Sequence, residues 1–111
     1  EKLSPAEIVD ATVLSIHQHD WFILASVLDD KNRVLLNEKV KFLEEIDLVK
    51  RLSDLPADWD FDTKLYYPIT VKLYIHRDTT GTESRQVTFQ LYRGSIEEPW
   101  TVDLDNLIQQ L

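Results

Sequence analysis

Two short segments of the chain carry the side chains of metal ligands. One is HQHD at residues 17–20, and the other is DWDFD at residues 58–62. Side chains two positions apart on a helix point about 200° away from each other, so His17 and His19 would not converge on one ion. The acidic segment resembles part of a calcium loop, but it lacks the glycine and the final bidentate glutamate of that loop. We expect a polar helix end and a solvated acidic loop, with no metal and no cofactor.

The sequence contains no recognisable catalytic signature. It has no cysteine, and no serine lies in the strained strand-to-helix turn that activates a nucleophile. The chain has only two glycines, so it offers no glycine-rich loop that could bind phosphate. We therefore predict no catalytic residue, and an enzymatic activity is not expected.

The composition predicts a single domain over residues 1–111. A formal net charge of −8 disfavours non-specific binding to nucleic acids and to anionic membranes. No apolar run approaches the ~20 residues that a membrane-spanning helix needs. The chain has no methionine and begins at Glu1, which suggests that a leader or an anchor has been removed. The resulting expectation is an exported or envelope-associated bacterial protein.

Helices are predicted in the first half of the chain. Ser4 and Glu7 form an S-x-x-E capping box, and apolar residues then recur at helical spacing over about 5–18. Asp20 has the right side chain to cap a second, short helix, which ends in a polar turn.

A third helix is predicted to begin at Asn37 and to run to about residue 53. The preceding residues 33–36 form either a short strand or a linker. The acidic and irregular stretch 54–62 is predicted to be a packed loop whose aromatic side chains cover one end of the core.

Strict alternation of apolar residues replaces the helical spacing in the second half. It predicts antiparallel strands over 65–75 and 87–91, a short third strand over 100–104, and an apolar tail or helical turn after it. Pro68 cannot donate a hydrogen bond to a sheet, so the strand is expected to be at an edge or bulged there.

The turn between the two long strands sets their predicted register. Gly81 suits the left-handed position of a three-residue loop. Pairing Asp78 with Thr82 would then place Leu73 opposite Val87, and the apolar faces of the two strands coincide.

These elements predict an α+β fold of two layers, in which N-terminal helices (about 5–53) pack on one face of a curved antiparallel β-meander (about 64–104). The opening SPAEIVDATVLSIHQHDWFILASVLDD and the ending VTFQLYRGSIEEPWTVDL resemble the corresponding parts of nuclear transport factor two-like domains, the cystatin-like cone superfamily. The middle of the chain departs from that pattern.

The resemblance implies that any ligand or catalytic group would lie between the sheet and the helices. The strand residues predicted to face the helices are almost all aliphatic or aromatic, and Tyr67 is the one polar-tipped candidate. A general base must lie within hydrogen-bond reach of its proton, and no acid or histidine accompanies Tyr67 in the strand pattern. We therefore do not expect this chain to share the enzymatic activity of some members of that superfamily. A small-molecule or isomerase-like pocket lined by Trp21, Trp59 and Tyr67 is the alternative.

The opposite, outward face of the sheet is the predicted recognition surface. Tyrosines among neutral polar groups are typical of contact patches, although the same residues also favour strands. The predicted partner-binding residues are Tyr66, Lys72, Tyr74, Gln86, Gln90 and Tyr92.

Three functions remain open from the sequence. The first is a noncatalytic interaction or scaffold domain that uses the outward face for a protein partner or for a homodimer. The second is the apolar ligand-binding or isomerase-like cone. The third, an acidic inhibitor or immunity protein, depends only on the net charge.

Overall fold

The computed structural model describes residues 3–50 and 61–111. Within them, helices and strands follow each other in the order α1–α2–α3–β1–β2–β3–β4–α4. The helices are α1 (Pro5–Gln18), α2 (Trp21–Ser26), α3 (Asp30–Glu44) and α4 (Leu104–Gln110). The strands are β1 (Ile46–Lys50), β2 (Tyr66–Arg77), β3 (Gly81–Tyr92) and β4 (Thr101–Val102). They form one curled antiparallel sheet in the order β1-β2-β3-β4, so the α+β prediction is confirmed.

Side-chain caps fix the starts of the helices. At α1 the predicted box is complete: Ser4 accepts the amide of Glu7, and the carboxylate of Glu7 accepts the amide of Ser4. Asp20 caps α2, as the sequence predicts, by accepting the amide of Ile23. Each cap satisfies backbone donors that a helix start otherwise leaves unpaired.

The predicted third helix is wrong in both of its limits. It begins after Asp29, which accepts the amide of Asn32, and Asn37 lies inside it. It ends at Glu44, and Ile46–Lys50 is strand β1, where the prediction continued the helix. The apolar residues of this segment fit helical spacing as well as they fit a short strand, so pairing with β2 decides the outcome. The predicted loop at 54–62, Trp59 included, lies largely outside the described residues.

The β2–β3 hairpin has the predicted left-handed glycine, but neither the predicted loop nor the predicted register. Gly81 has φ +83°, as expected for a left-handed position. Arg77 pairs with Gly81, however, and Leu73 lies opposite Arg85 rather than Val87, a slip of two residues. A slip of two keeps every side chain on its predicted face.

Odd-numbered residues of β2 and β3 form the inner face of the sheet, which packs on the helices in one apolar core. Its most buried members come from every helix and strand, with β2 and β3 contributing Ile69, Val71, Leu73, Ile75, Val87, Phe89 and Leu91. The predicted third strand is shorter than expected: β4 holds only Thr101–Val102, and Leu104 begins α4.

Pro68 is tolerated because its nitrogen lies on the side of β2 that points away from β3. The pairing between β2 and β1 that the structure describes covers only Leu73–Arg77, so Pro68 lies beyond it. No bulge interrupts the described β2–β3 register at Pro68.

Candidate functional site

The histidine cluster ties α1 to β1. His17 Nδ1 lies 2.6 Å from Asp47 Oδ1, and His19 Nε2 lies 3.2 Å from the backbone carbonyl of Ile46. His19 also stacks on Trp21, with ring centroids 5.5 Å apart. In the part of the chain that is described, no three histidine or acidic side chains are arranged to hold a metal ion.

The space between the sheet and the helices is filled by apolar side chains. The buried polar side chains among the described residues are Ser4, Thr12, Ser15, Asn32, Arg93 and Thr101, so no carboxylate or imidazole is buried there. Arg93 is 8% exposed; it donates to backbone carbonyls, including those of Phe61 and Lys64, and lies 4.2 Å over the Trp100 ring. Such an arginine closes one end of the core.

The residues of the alternative pocket have different neighbours. Trp21 stacks on His19 at the start of α2, whereas the ring of Tyr67 packs 6.3 Å from that of Trp100. Trp59, the third member, lies outside the described residues. The described aromatic contacts therefore do not bring Trp21 and Tyr67 together.

Tyr92 does not belong to the outward surface that the sequence predicts. Its hydroxyl accepts a hydrogen bond from Asn32 Nδ2 at 2.7 Å and donates one to Asp29 Oδ2 at 3.2 Å. The start of α3 therefore covers this end of the sheet, and burial, with the nearby charge of Asp29, raises the pKa of Tyr92. Alternation along a strand could not indicate these contacts, because it does not show where a distant helix begins.

The other five predicted residues share one surface, which we call the outer face. It comprises the even-numbered side chains of β2 and β3 other than Tyr92, together with Asp47 and Val49 of β1. Tyr66 is 55% exposed and Tyr74 is 38% exposed, while Lys72 and Gln90 are half-buried and Gln86 is exposed. The structure thus brings these five predicted residues together.

Cross-strand hydrogen bonds hold the outer face in a defined arrangement. The hydroxyl of Tyr66 donates to Gln90 Oε1, and the hydroxyls of Thr70 and Thr88 lie 2.8 Å apart. Such pairs fix side-chain rotamers before any partner binds, which lowers the entropy lost on binding.

Sequence reasoning missed an apolar extension of the outer face. Val49 pairs directly with Tyr74 and is 46% exposed, but the sequence prediction placed it inside a helix. Leu14 of α1, which is also exposed, lines a groove together with Val49 and Lys50. The outer face therefore continues over β1 towards α1.

A second feature absent from the sequence prediction is a groove between α2 and β4. It has a volume of about 460 Å³ and is lined by apolar residues, by Trp100, and by the polar residues Ser26, Asp29, Arg33 and Thr101. Trp100 is buried, and its Nε1 has no hydrogen-bond partner among the described residues. Burying a donor without an acceptor costs roughly 1–3 kcal/mol, so this group needs an explanation.

Comparison with known proteins gives no relative. No protein family, no curated protein and no solved structure matches this chain. No helix of the described residues is long and apolar enough to cross a membrane. The relation to nuclear transport factor two-like domains, like the extracytoplasmic location, stays a prediction.

Proposed function

We propose that this chain is a noncatalytic protein-interaction domain that binds a protein partner through its outer face. The observation that carries the proposal is that two tyrosines of the outer face, Tyr66 and Tyr74, are both exposed. Tyrosine gives a large contact area with few rotatable bonds and is enriched in protein interfaces.

The electrostatics of the outer face also favour a protein partner. Lys72 is the one lysine or arginine among its described residues, and Asp47, at its margin, already pairs with His17. A surface of aromatic and neutral polar groups with little charge resembles the centre of an interface more than a charged rim.

Affinity capture with three variants tests this proposal. The outer-face variant combines Tyr66→Thr with Tyr74→Thr, because threonine keeps strand propensity while removing the rings. Its matched control is Phe22→Ser, which removes an 87%-exposed aromatic side chain from α2. We expect a partner that the native chain and the control retain and that the outer-face variant loses. Identical capture by all three would contradict the proposal.

A small-ligand function is the second candidate, and the unpartnered Nε1 of Trp100 favours it. A ligand with an apolar body and a carbonyl or carboxylate oxygen could accept that hydrogen bond in the groove beside Arg33. Tryptophan fluorescence and thermal shift with alkyl and aryl carboxylates test this. Binding by the native chain and weaker binding by Trp100→Phe would support it, and the absence of any shift would remove it.

The acidic-inhibitor reading draws its support from the net charge of −8 alone. The outer face carries Lys72, so an acidic contact surface would have to lie elsewhere on the molecule. A steep loss of partner affinity with added salt would favour this reading over the outer-face proposal.

A further inference from the structure

Along the first half of β3, no described strand pairs with one edge of the sheet. The described pairing of β3 with β4 is confined to Leu91 and Tyr92. Towards the turn, residues 81–84 are exposed, as is Gln86, and only Arg85 is half-buried. An exposed strand edge presents unpaired amide and carbonyl groups to which another strand can add.

The hydrogen bonds at the far end of β3 show which residues point to this edge. Gln110 accepts the amide of Thr88 and donates to its carbonyl, and Asp103 donates to the carbonyl of Gln90. Even-numbered residues of β3 therefore direct their backbone groups to the edge, because the direction alternates along a strand. By the same alternation Thr82, Ser84 and Gln86 do so too, and no described residue hydrogen-bonds their backbone groups.

We propose that the chain forms a two-fold symmetric dimer by antiparallel pairing of these edges, centred on Ser84. Ser84 then lies opposite Ser84 of the second copy, and Thr82 lies opposite Gln86. The outward amides and carbonyls of residues 82–86 exchange hydrogen bonds in register, and the two sheets become one.

The charges of β3 select this register over its neighbours. When the pairing is centred on Ser84, Glu83 of each copy lies opposite Arg85 of the other copy, so two equivalent pairs of opposite charge form. Centred on Glu83 it would place two glutamates face to face, and centred on Arg85 two arginines. Opposite charges across a ladder stabilise the pairing and like charges oppose it.

The same side chains already interact within one chain. Glu83 Oε1 lies 2.7 Å from an Arg85 nitrogen and 3.2 Å from an Arg77 nitrogen. Each copy thus presents a carboxylate between two guanidinium groups, and pairing extends this alternation across the two-fold axis.

Gln110 limits the length of the pairing. Its side-chain amide occupies the edge at Thr88 in each copy, so no further strand residue can pair there. Five paired residues bury little surface, and we expect a weak dimer in rapid exchange with the monomer.

Sedimentation equilibrium from low micromolar to millimolar concentration tests the dimer. We expect the native chain to associate, and we expect Glu83→Arg and Arg85→Glu, each alone, to weaken association about tenfold or more because each creates two like-charge pairs. A 1:1 mixture of these two variants should associate as strongly as the native chain, since every cross-pair is again opposite in sign. No change within one chain can mimic that recovery.

Any of three results would overturn the dimer proposal. The native chain could stay monomeric at millimolar concentration, the single variants could associate as strongly as the native chain, or the mixture of the two variants could associate no more strongly than either variant alone. Circular dichroism establishes that each variant is folded. The proposal is independent of the outer face, and the variant Tyr66→Thr with Tyr74→Thr should self-associate normally. If that variant alone loses self-association, the outer face is the dimer surface and the edge proposal fails.

Discussion

The hydroxyl of Tyr92 belongs to a hydrogen-bond network between parts of the fold that are far apart in the chain. It bonds Asn32 and Asp29 at the start of α3, Asn32 Oδ1 accepts the amide of Leu104, and Thr101 Oγ1 accepts the amide of Asp29. These bonds satisfy polar groups of α3, β4 and α4 that are buried or half-buried.

Tyr92→Phe should lower the free energy of unfolding by about 0.5–1.5 kcal/mol at neutral pH, because the ring stays in place and only the hydrogen bonds are lost. Urea unfolding measures this. Tyr74→Phe is the control, since Tyr74 lies exposed on the outer face, and it should have no measurable effect. Equal effects of the two variants would contradict the role of the Tyr92 hydroxyl.

The raised pKa of Tyr92 predicts a pH dependence on the alkaline side. Between the ordinary tyrosine value of about 10 and the raised value, the unfolded chain loses the Tyr92 proton while the folded chain keeps it. The stabilisation from Tyr92 is therefore complete below about pH 10 and is lost as the pH rises through the folded-state pKa. The free energy of unfolding should therefore decrease less steeply with rising pH above about pH 10 for Tyr92→Phe than for the native chain. Parallel decreases in the two proteins would contradict this role of Tyr92.

Helix α4 closes part of the β3 edge with one side chain. The amide group of Gln110 bonds both the amide and the carbonyl of Thr88, in the manner of a neighbouring strand. This is how the fold covers an edge that β4 is too short to reach.

Gln110→Leu should destabilise the chain by about 1–2 kcal/mol, because it leaves both backbone groups of Thr88 without a protein partner. Hydrogen exchange at the Thr88 amide should accelerate. The neighbouring Gln109→Leu is the matched control, since the exposed Gln109 side chain bonds only Asp105. If the Thr88 amide exchanges at the native rate in Gln110→Leu, the Gln110 side chain does not protect this edge of β3.

The hairpin and β1 show which features of these elements the sequence could predict. Capping residues and alternation predicted α1, α2 and both faces of β2 and β3, because these signals are local. The predicted register differs from the observed one by two residues, and alternation could not reveal this because such a shift leaves the inner and outer faces unchanged. Strand β1 was not predicted, because Ile46 and Val49 also fit helical spacing. For the same reason the position of Val49 on the outer face was not predicted.

The described residues form one apolar core and leave the outer face of the sheet exposed. Its described interior contains apolar side chains and hydrogen-bonded polar groups, with the exception of Trp100 Nε1. Five of the six outward residues that alternation predicted lie on the outer face, whereas Tyr92 is bonded to a helix whose position only tertiary packing determines.

Neighbouring residues of β2 should therefore respond differently to truncation. Leu73→Ala removes a fully buried side chain and should cost about 2–5 kcal/mol. Tyr74→Thr, on the outer face, should cost about 1 kcal/mol or less. Thermal unfolding measures both, and a cost for Tyr74→Thr close to that of Leu73→Ala would mean that Tyr74 is structural.

Photo-crosslinking from the outer face tests the proposed function most directly. A benzoylphenylalanine at position 74 is compared with one at position 22, and both native side chains are exposed aromatics. We expect a specific protein adduct from position 74 and none from position 22. Adducts at position 22 alone, or no adduct from position 74 under conditions that retain the partner, would contradict recognition through the outer face.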